Sequence, residues 1–407
     1  MNWDSLLSTQ KLVDKHMENS QPKCIVHFLP AMAGDCFVVE LDNKNCILID
    51  CGYSVTYWEE LRPLLMKLSR KGCKISLMLI THIDEDHVSG AVSFIEENGC
   101  AEDPQIIQID RIWHNGILNV IINSSWFLKH EKEDVPNDTL KRWANARGLL
   151  KEQLQGKCGT ISALQSKAFE ETCIRNHYII NEGIKNGCIV KNQKFQFDGY
   201  EIEILSPGVS EIEGFQKKMN REMIQIFGKD YLWNRTNEFT ELLELAALNC
   251  GADTPGAFWG SKISANAGNI ENWLGTSNLA KMNEINRVSI VAVIRYKGLS
   301  LLFMGDSESE LWKEQLDPYY DLIKVAHHGS TMPNLAWMEH TRAGKLLIST
   351  NGGRYRHPED DFLARTMMGD FKELYFNYDI QKKSVILTMQ EKYCFKANFK
   401  TKEILLN

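Results

Sequence analysis

Six consecutive residues, His82-Ile83-Asp84-Glu85-Asp86-His87, carry two imidazoles and three carboxylates. Gathering that many donors and negative charges in one place is costly without a cation. In an extended or turning loop the alternating His82, Asp84 and Asp86 point one way. His87, at the start of the next helix, folds in beside them, while Glu85 reads as solvated or as lying behind the ligands. The set suits a pair of divalent metals, with the remaining ligands drawn from His114, Asp306 and His327. Two metals close together hold a water between them and bring its pKa toward neutrality, which supplies a hydroxide nucleophile without a side-chain base. Asp306, as a bridge, would fix their separation, and His328, His357 or a metal would protonate or polarise the leaving group. The catalytic candidates are therefore Asp86, Asp306, His328 and His357. Two choices stay open: Trp113-His114-Asn115-Gly116 also reads as a simple turn, and either His327 or His328 serves as ligand.

The elements that must position these groups are legible as apolar runs. Cys24–Leu29, Cys36–Leu41 and Cys46–Ile49 read as strands separated by Ala33-Gly34-Asp35 and Asp42-Asn43-Lys44-Asn45. Tyr57–Arg70 has the spacing of an amphipathic helix, Ile75–Ile80 is a strand-length run ending at Thr81-His82, and Val88–Asn98 reads as a helix closed by Gly99. Gln105–Trp113 reads as a further strand. The period-2 signal returns at Val288–Tyr296 and Leu299–Met304, then at Asp321–Ala326 and Lys345–Ser349. Four times an apolar run stops and His or Asp follows, at His82, His114, Asp306 and His327. Six of the eleven histidines (His82, His87, His114, His327, His328, His357) lie in such loops, where α/β proteins assemble their sites. The interval 115–285 reads differently, with helices expected over Thr139–Leu154, Ile161–Ile174 and much of Phe215–Leu248, a strand at Glu201–Leu205, and a loop from Asn249 to Asn278.

With 407 residues, 43% hydrophobic and 24% charged, the chain has the profile of a soluble globular protein. No apolar run reaches membrane-spanning length, so no membrane partner is expected. Met1–Asn19 scatters Asp4, Lys11, Asp14, Lys15 and Glu18 among its apolar residues and reads as neither signal nor transit peptide, which leaves a cytoplasmic location as the expectation. Eleven scattered cysteines without a C-x-x-C pair fit reduced thiols rather than disulfides. A net charge of −7 argues against a surface built for non-specific polyanion binding. Trp126, Trp143, Trp233, Trp259 and Trp273 are expected to pack the 115–285 interval.

Taken together, several segments resemble the metallo-β-lactamase superfamily, specifically its ComEC-like branch. They are Val26–Leu29 with Gly34-Asp35, Ile47–Gly52, Thr81–Gly90, Asn286–Ile290 through to Leu302–Asp306, Leu322–Ser330, and Arg356-His357-Pro358. Ile161–Gln165 adds a weaker likeness. The resemblance implies an α/β fold of four layers, αββα, forming a single domain over 1–407 with its core at 24–114 and 286–395. The mainly helical insertion at 115–285 would set specificity. By motif position, the resemblance makes His82, Asp84 and His114 the ligands of one metal, and Asp86, His87 and His327 those of the other. Asp306 would bridge, and Asp50 would orient the loop. Asp84 stands where that family usually has histidine, so manganese, iron and magnesium compete with zinc.

Four functions are in play. The first is hydrolysis of a phosphodiester in nucleic acid or a nucleotide, with Lys324, Arg354 and Arg356 as phosphate-holding candidates. The second is hydrolysis of a lactone, thioester or amide. A diiron redox protein and a component of a bacterial defence system, working with protein partners, complete the set.

Overall fold

The computed structural model describes residues 23–117, 119–120, 129–153, 162–229, 231–250, 270–277, 282–353 and 356–407. The N-terminal segment 1–22, Trp126, Ile161, Arg354, Trp259 and most of the 249–278 loop lie outside the described residues.

Apolar runs become β1 (Cys24–Phe28), β2 (Cys36–Leu41), β3 (Asn45–Cys51) and β4 (Lys74–Ile80). Helix α1 (Arg62–Arg70) prolongs a π-helical stretch at Tyr57–Leu61, and α2 (Glu85–Asn98) leads to β5 (Ile112–His114). Next come α3 (Asn137–Gln153), α4 (Ser162–Arg175), β6 (Lys194–Gln196), β7 (Glu201–Ser206), α5 (Val209–Phe227) and α6 (Asn237–Cys250). The second half holds β8 (Val291–Tyr296), β9 (Leu299–Phe303), β10 (Tyr319–Lys324), α7 (Thr331–His340), β11 (Arg342–Ile348) and α8 (Asp360–Met368). It closes with β12 (Glu373–Phe376), α9 (Lys383–Tyr393), β13 (Lys396–Asn398) and β14 (Glu403–Leu406).

The strands form two sheets, β14-β1-β2-β3-β4-β5 and β13-β12-β11-β10-β9-β8-β7-β6. Pairing is antiparallel from β14 through β3 and from β6 through β9, and parallel from β3 to β5 and from β9 to β13. Alternate residues serve alternate layers, as pleating dictates. Phe37, Val39, Ile49, Leu77 and Leu79 meet Ile202, Ala292, Leu301, Phe303 and Leu322 between the sheets. Val38, Leu48, Met78 and Ile80 point the other way, into a layer with Leu65, Phe94 and Phe169 of α1, α2 and α4. Leu302, Ile323 and Leu346 pack against Trp337, Phe362 and Ile386 of α7, α8 and α9. The architecture is thus αββα, with α3, α5 and α6 sharing a separate core of Trp143, Phe215, Met219, Trp233 and Phe239.

Some elements fall differently from the sequence reading. Strand β5 covers only the end of Gln105–Trp113, because the Asn98 side chain accepts from the Ile106 and Ile107 amides, at 3.1 and 3.0 Å, and takes the bonds a strand partner would have made. Strands β6 and β7 and helix α4 belong to the core layers although they lie within 115–285. The expected helix over Phe215–Leu248 is two, separated after Gly228, whose φ of 91° an L side chain rarely adopts. Nine described cysteines are free thiols. No helix among the described residues is long and apolar enough to cross a membrane.

Candidate metal centre

The carboxyl ends of β3, β4, β9, β10 and β11 meet at one rim of the two sheets, as they do wherever parallel strands deliver side chains to a shared edge. Strand β3 delivers Asp50 with a φ of 54° and β4 delivers Thr81 and His82. The Thr81 amide and hydroxyl both donate to the Asp50 carboxylate at 2.8 Å, and His87 Nδ1 donates to its Oδ2 at 2.8 Å. His82 Nδ1 lies 3.0 Å from Thr81 Oγ1, so the Thr81 hydroxyl relays the same polarity to a second imidazole. Across the rim, His328 Nδ1 donates to the Ser349 carbonyl at 3.0 Å. Each of these bonds fixes a tautomer with the proton on Nδ1 and leaves Nε2 as a bare lone pair.

The three lone pairs point inward. The Nε2 atoms of His82, His87 and His328 are buried and have no hydrogen-bond partner, and neither has Oδ1 of Asp306. Oδ2 of Asp306 lies 3.8 Å from Nε2 of His82 and of His87, and 3.7 Å from Nε2 of His327 and of His328. Asp84 comes within 3.5 Å of His82, and Asp86 within 4.0 and 3.8 Å of His87 and His328. Buried polar atoms are nearly always paired, and such separations are too long for hydrogen bonds. Donors spaced this way around a carboxylate whose Oδ1 oxygen has no hydrogen bond fit divalent cations set between them.

Electrostatics agree with that reading. Burial alone would raise the Asp306 carboxyl, but His328, His327, His87 and His82 around it hold it well below the ordinary range. Burial is also the main cause that pushes the Asp86 carboxyl up. For His87 burial disfavours the cation, yet Asp50, Asp306 and Asp86 outweigh it and raise the imidazole. Burial lowers His327, with Asp306 opposing, and lowers His357 strongly, with help from His327 and His328.

The structure brings His82, Asp84, Asp86, His87, Asp306, His327 and His328 together, but His114 does not join them. Its Nδ1 donates to the Ile80 carbonyl at 3.3 Å, its Nε2 accepts from Ser166 Oγ at 3.0 Å, and burial lowers its pKa to about 4. With both ring nitrogens engaged and Asn181 holding its backbone, His114 anchors α4 to β5. The motif-based expectation put it among the ligands, and the structure places it apart from them, against Ile80 and Ser166. His357 stands behind the cluster, its ring centroid 5.3 Å from that of His327. Lys324 is likewise no phosphate ligand: its side chain is 1% exposed, forms an ion pair with Asp35 and donates to the Gly305 carbonyl at 3.1 Å. Arg356 is exposed at the rim.

The sequence reading takes Asp35 as turn material and as part of a family-like segment, and gives it no role at the site. Its Oδ1 lies 3.5 Å from His328 Nδ1, and its amide donates to the Asp86 carbonyl at 3.3 Å. The preceding Gly34 is required by that approach, since a Cβ there would overlap the Asp86 carbonyl. The 115–285 interval reaches the site through Ile83, which packs with Ile117, Phe215 and Ile285. A narrow apolar crevice opens there, beside His82.

Residues 29–104 match the family model described as the metallo-beta-lactamase superfamily, a stretch that includes Asp50 and His82 through His87. No curated protein matches the chain. Among solved structures, the metallo-beta-lactamase fold protein YhfI from Bacillus subtilis is 7% identical, with 94% of this chain and 99% of that one covered at a TM-score of 0.38. Zn(2+)-bound PqqB from Methylobacterium extorquens is 10% identical, with 94% of this chain and 100% of that one covered, also at 0.38.

Proposed function

We propose that this chain, with its metallo-beta-lactamase superfamily segment, is a hydrolase that works through two divalent metals and cleaves phosphodiester bonds. The observation that carries the reading is the convergence of four imidazole Nε2 atoms on one carboxylate oxygen of Asp306. Bound there, divalent ions supply Lewis acidity toward the scissile group and toward water. The protein supplies the rest. Asp50, Thr81 and Ser349 hold the imidazole tautomers, and Asp306 sets the spacing between the two halves. His357, its ring 5.3 Å from that of His327, would accept or relay a proton.

Asp50, Asp84, Asp86 and Asp306 bring four negative charges against four from two divalent ions, and Asp35 and Lys324 cancel. The centre is then neutral, and Lewis acidity rather than net charge would draw a phosphodiester. The likeness of its motifs to the ComEC-like branch points the same way, toward nucleotides or nucleic acid. Manganese and zinc are both suited to a donor set of imidazoles and carboxylates.

A second reading, hydrolysis of a lactone, thioester or amide, is favoured by the crevice beside His82. Its walls are Ile83, Ile117, Val120, Phe215, Ile285 and Val288, which suit an uncharged acyl group better than a phosphate. The test is metal analysis followed by a substrate panel. Two equivalents of metal and manganese-dependent cleavage of bis-p-nitrophenyl phosphate, abolished by Asp86→Ala and Asp306→Ala, support the phosphodiester reading. Cleavage of lactones but not of that ester selects the second. A folded protein that takes up no metal refutes both.

A further inference from the structure

A second group of metal-type donors lies away from the rim, where the far ends of α2 and α4 meet. Helix α2 begins at the metal centre with Asp86 and His87, and its 14 residues carry the chain about 20 Å onward to Gly99. Beyond the glycine come Cys100 and Glu102, in a turn where the Asp103 amide donates to the Cys100 carbonyl at 3.1 Å. His177 follows the end of α4 with a φ of 62°. The two ends are fastened to each other. The Ala101 amide donates to the Asn176 carbonyl at 3.0 Å, and Asn98 Nδ2 donates to the Tyr178 hydroxyl oxygen at 2.8 Å.

This backbone brings three different donors together. Cys100 Sγ lies 3.6 Å from His177 Nδ1 and donates to Glu102 Oε2 at 2.6 Å, and His177 Nδ1 lies 3.4 Å from that same oxygen. A tetrahedral zinc, with bonds of about 2.3 Å to sulfur and about 2.0 Å to nitrogen and oxygen, sets sulfur about 3.5 Å from either and nitrogen about 3.3 Å from oxygen. Two edges of the triangle therefore already have the dimensions of a ligand set. The sulfur–oxygen edge is short because the thiol proton bridges it. Exchanging that proton for a cation asks the edge to open by about 1 Å, and the Glu102 side chain, 68% exposed, is free to make that move.

We propose that Cys100, Glu102 and His177 bind a zinc ion apart from the rim centre, with water in the fourth position. Thiolate and imidazole select zinc over harder divalent ions. Binding sends the Cys100 thiol proton to solvent, forms one bond each to Sγ, Nδ1 and Oε2, and changes no oxidation state. The ion would tie α4 to the end of α2.

Cobalt(II) is the probe, since a thiolate bound to it gives a charge-transfer band in the near ultraviolet, whereas the rim donors are imidazoles and carboxylates. Titrated with cobalt, the wild type should develop the band and take up one equivalent more than Cys100→Ser, which should show no band. Glu102→Gln keeps an oxygen to accept the thiol hydrogen bond, so a merely structural cluster would not register it. That variant and His177→Gln should each weaken cobalt at this site by at least about 10–100-fold, the loss that even an outer partner of a ligand brings. Cys394→Ser, which removes an exposed thiol elsewhere, should leave the band unchanged. Should Cys100→Ser fail to fold, zinc should still protect Cys100, and not Cys394, from iodoacetamide in the intact protein. Absence of the band in the wild type, its survival in Cys100→Ser, affinities within twofold of wild type in Glu102→Gln and His177→Gln, or alkylation of Cys100 that zinc does not slow overturns the proposal.

Discussion

Replacing Asp50 with Asn tests the claim that ligand tautomers are held from behind. The Asp50 carboxylate accepts three bonds, from the Thr81 amide on Oδ1 and from Thr81 Oγ1 and His87 Nδ1 on Oδ2, each at 2.8 Å. An asparagine keeps its oxygen toward the Thr81 amide and places an NH2 where Oδ2 stood. The threonine hydroxyl can turn and accept, but the imidazole Nδ1–H meets a donor. His87 restores the bond by moving its proton to Nε2, and that removes the lone pair aimed at Asp306 and the metal. The backbone is not a confounder, since Asn tolerates the left-handed conformation that Asp50 adopts at φ 54°. Partners of this kind typically change metal affinity by about 10–100-fold, or roughly 1.4–2.7 kcal/mol. Competition titration with a chromophoric chelator reads the two affinities separately. The expected outcome for Asp50→Asn is one metal weakened by that factor and the His82 side weakened less, since it feels Asp50 only through Thr81. Two affinities within twofold of wild type would show that the Nδ1 bond does not set the tautomer.

Further perturbations follow from the same geometry. Lys324→Met leaves Asp35 buried and uncompensated, which costs about 3–5 kcal/mol; urea unfolding should register it, and a loss under 1 kcal/mol would mean the pair is solvated. His114 is neutral in the folded protein, with a pKa of about 4 against 6.5 for the free group. The unfolded chain therefore binds the extra proton, and stability present above pH 6.5 is lost as pH falls from 6.5 toward 4, by up to about 3 kcal/mol. His114→Gln should flatten that part of the stability-against-pH curve, and an unchanged slope would contradict the burial argument. Gly34→Ala should destabilise by about 1–3 kcal/mol through overlap with the Asp86 carbonyl, with weaker metal binding as its signature; a neutral effect on both would refute the tight approach.

The sequence made the scaffold and half of the centre readable because both are written in local signals. Apolar runs of strand length ending in His or Asp located β4, β9 and β10 and the ligands just past them. What escaped was decided by partners distant in sequence or by backbone conformation. His114 looks the same at the end of a strand whether it meets a metal or Ser166, which lies 52 positions on in a helix. Lys324 looked available for phosphate because its partner, Asp35, sits in a turn near the other end of the chain. The distinct orientations of His327 and His328 come from two positive φ angles that composition does not announce. The interval 115–285 read as one insertion because β6 and β7 are short and half polar, although they extend the second sheet.

Asp306 stands on the second sheet, and His82 and His87 stand at the end of the first. Ions held between them would act as a cross-link between segments more than 200 residues apart. Treated as a disulfide closing a loop of that length, such a link would restrict the unfolded chain by about 5 kcal/mol. The apolar layer between the sheets keeps them together on its own, so removing the ions slackens the rim before it unfolds the body. The catalytic mouth would then be the first part of the molecule to open under chelation, and hydrogen exchange at Thr81, Gly305 and His327 would report it ahead of any global transition.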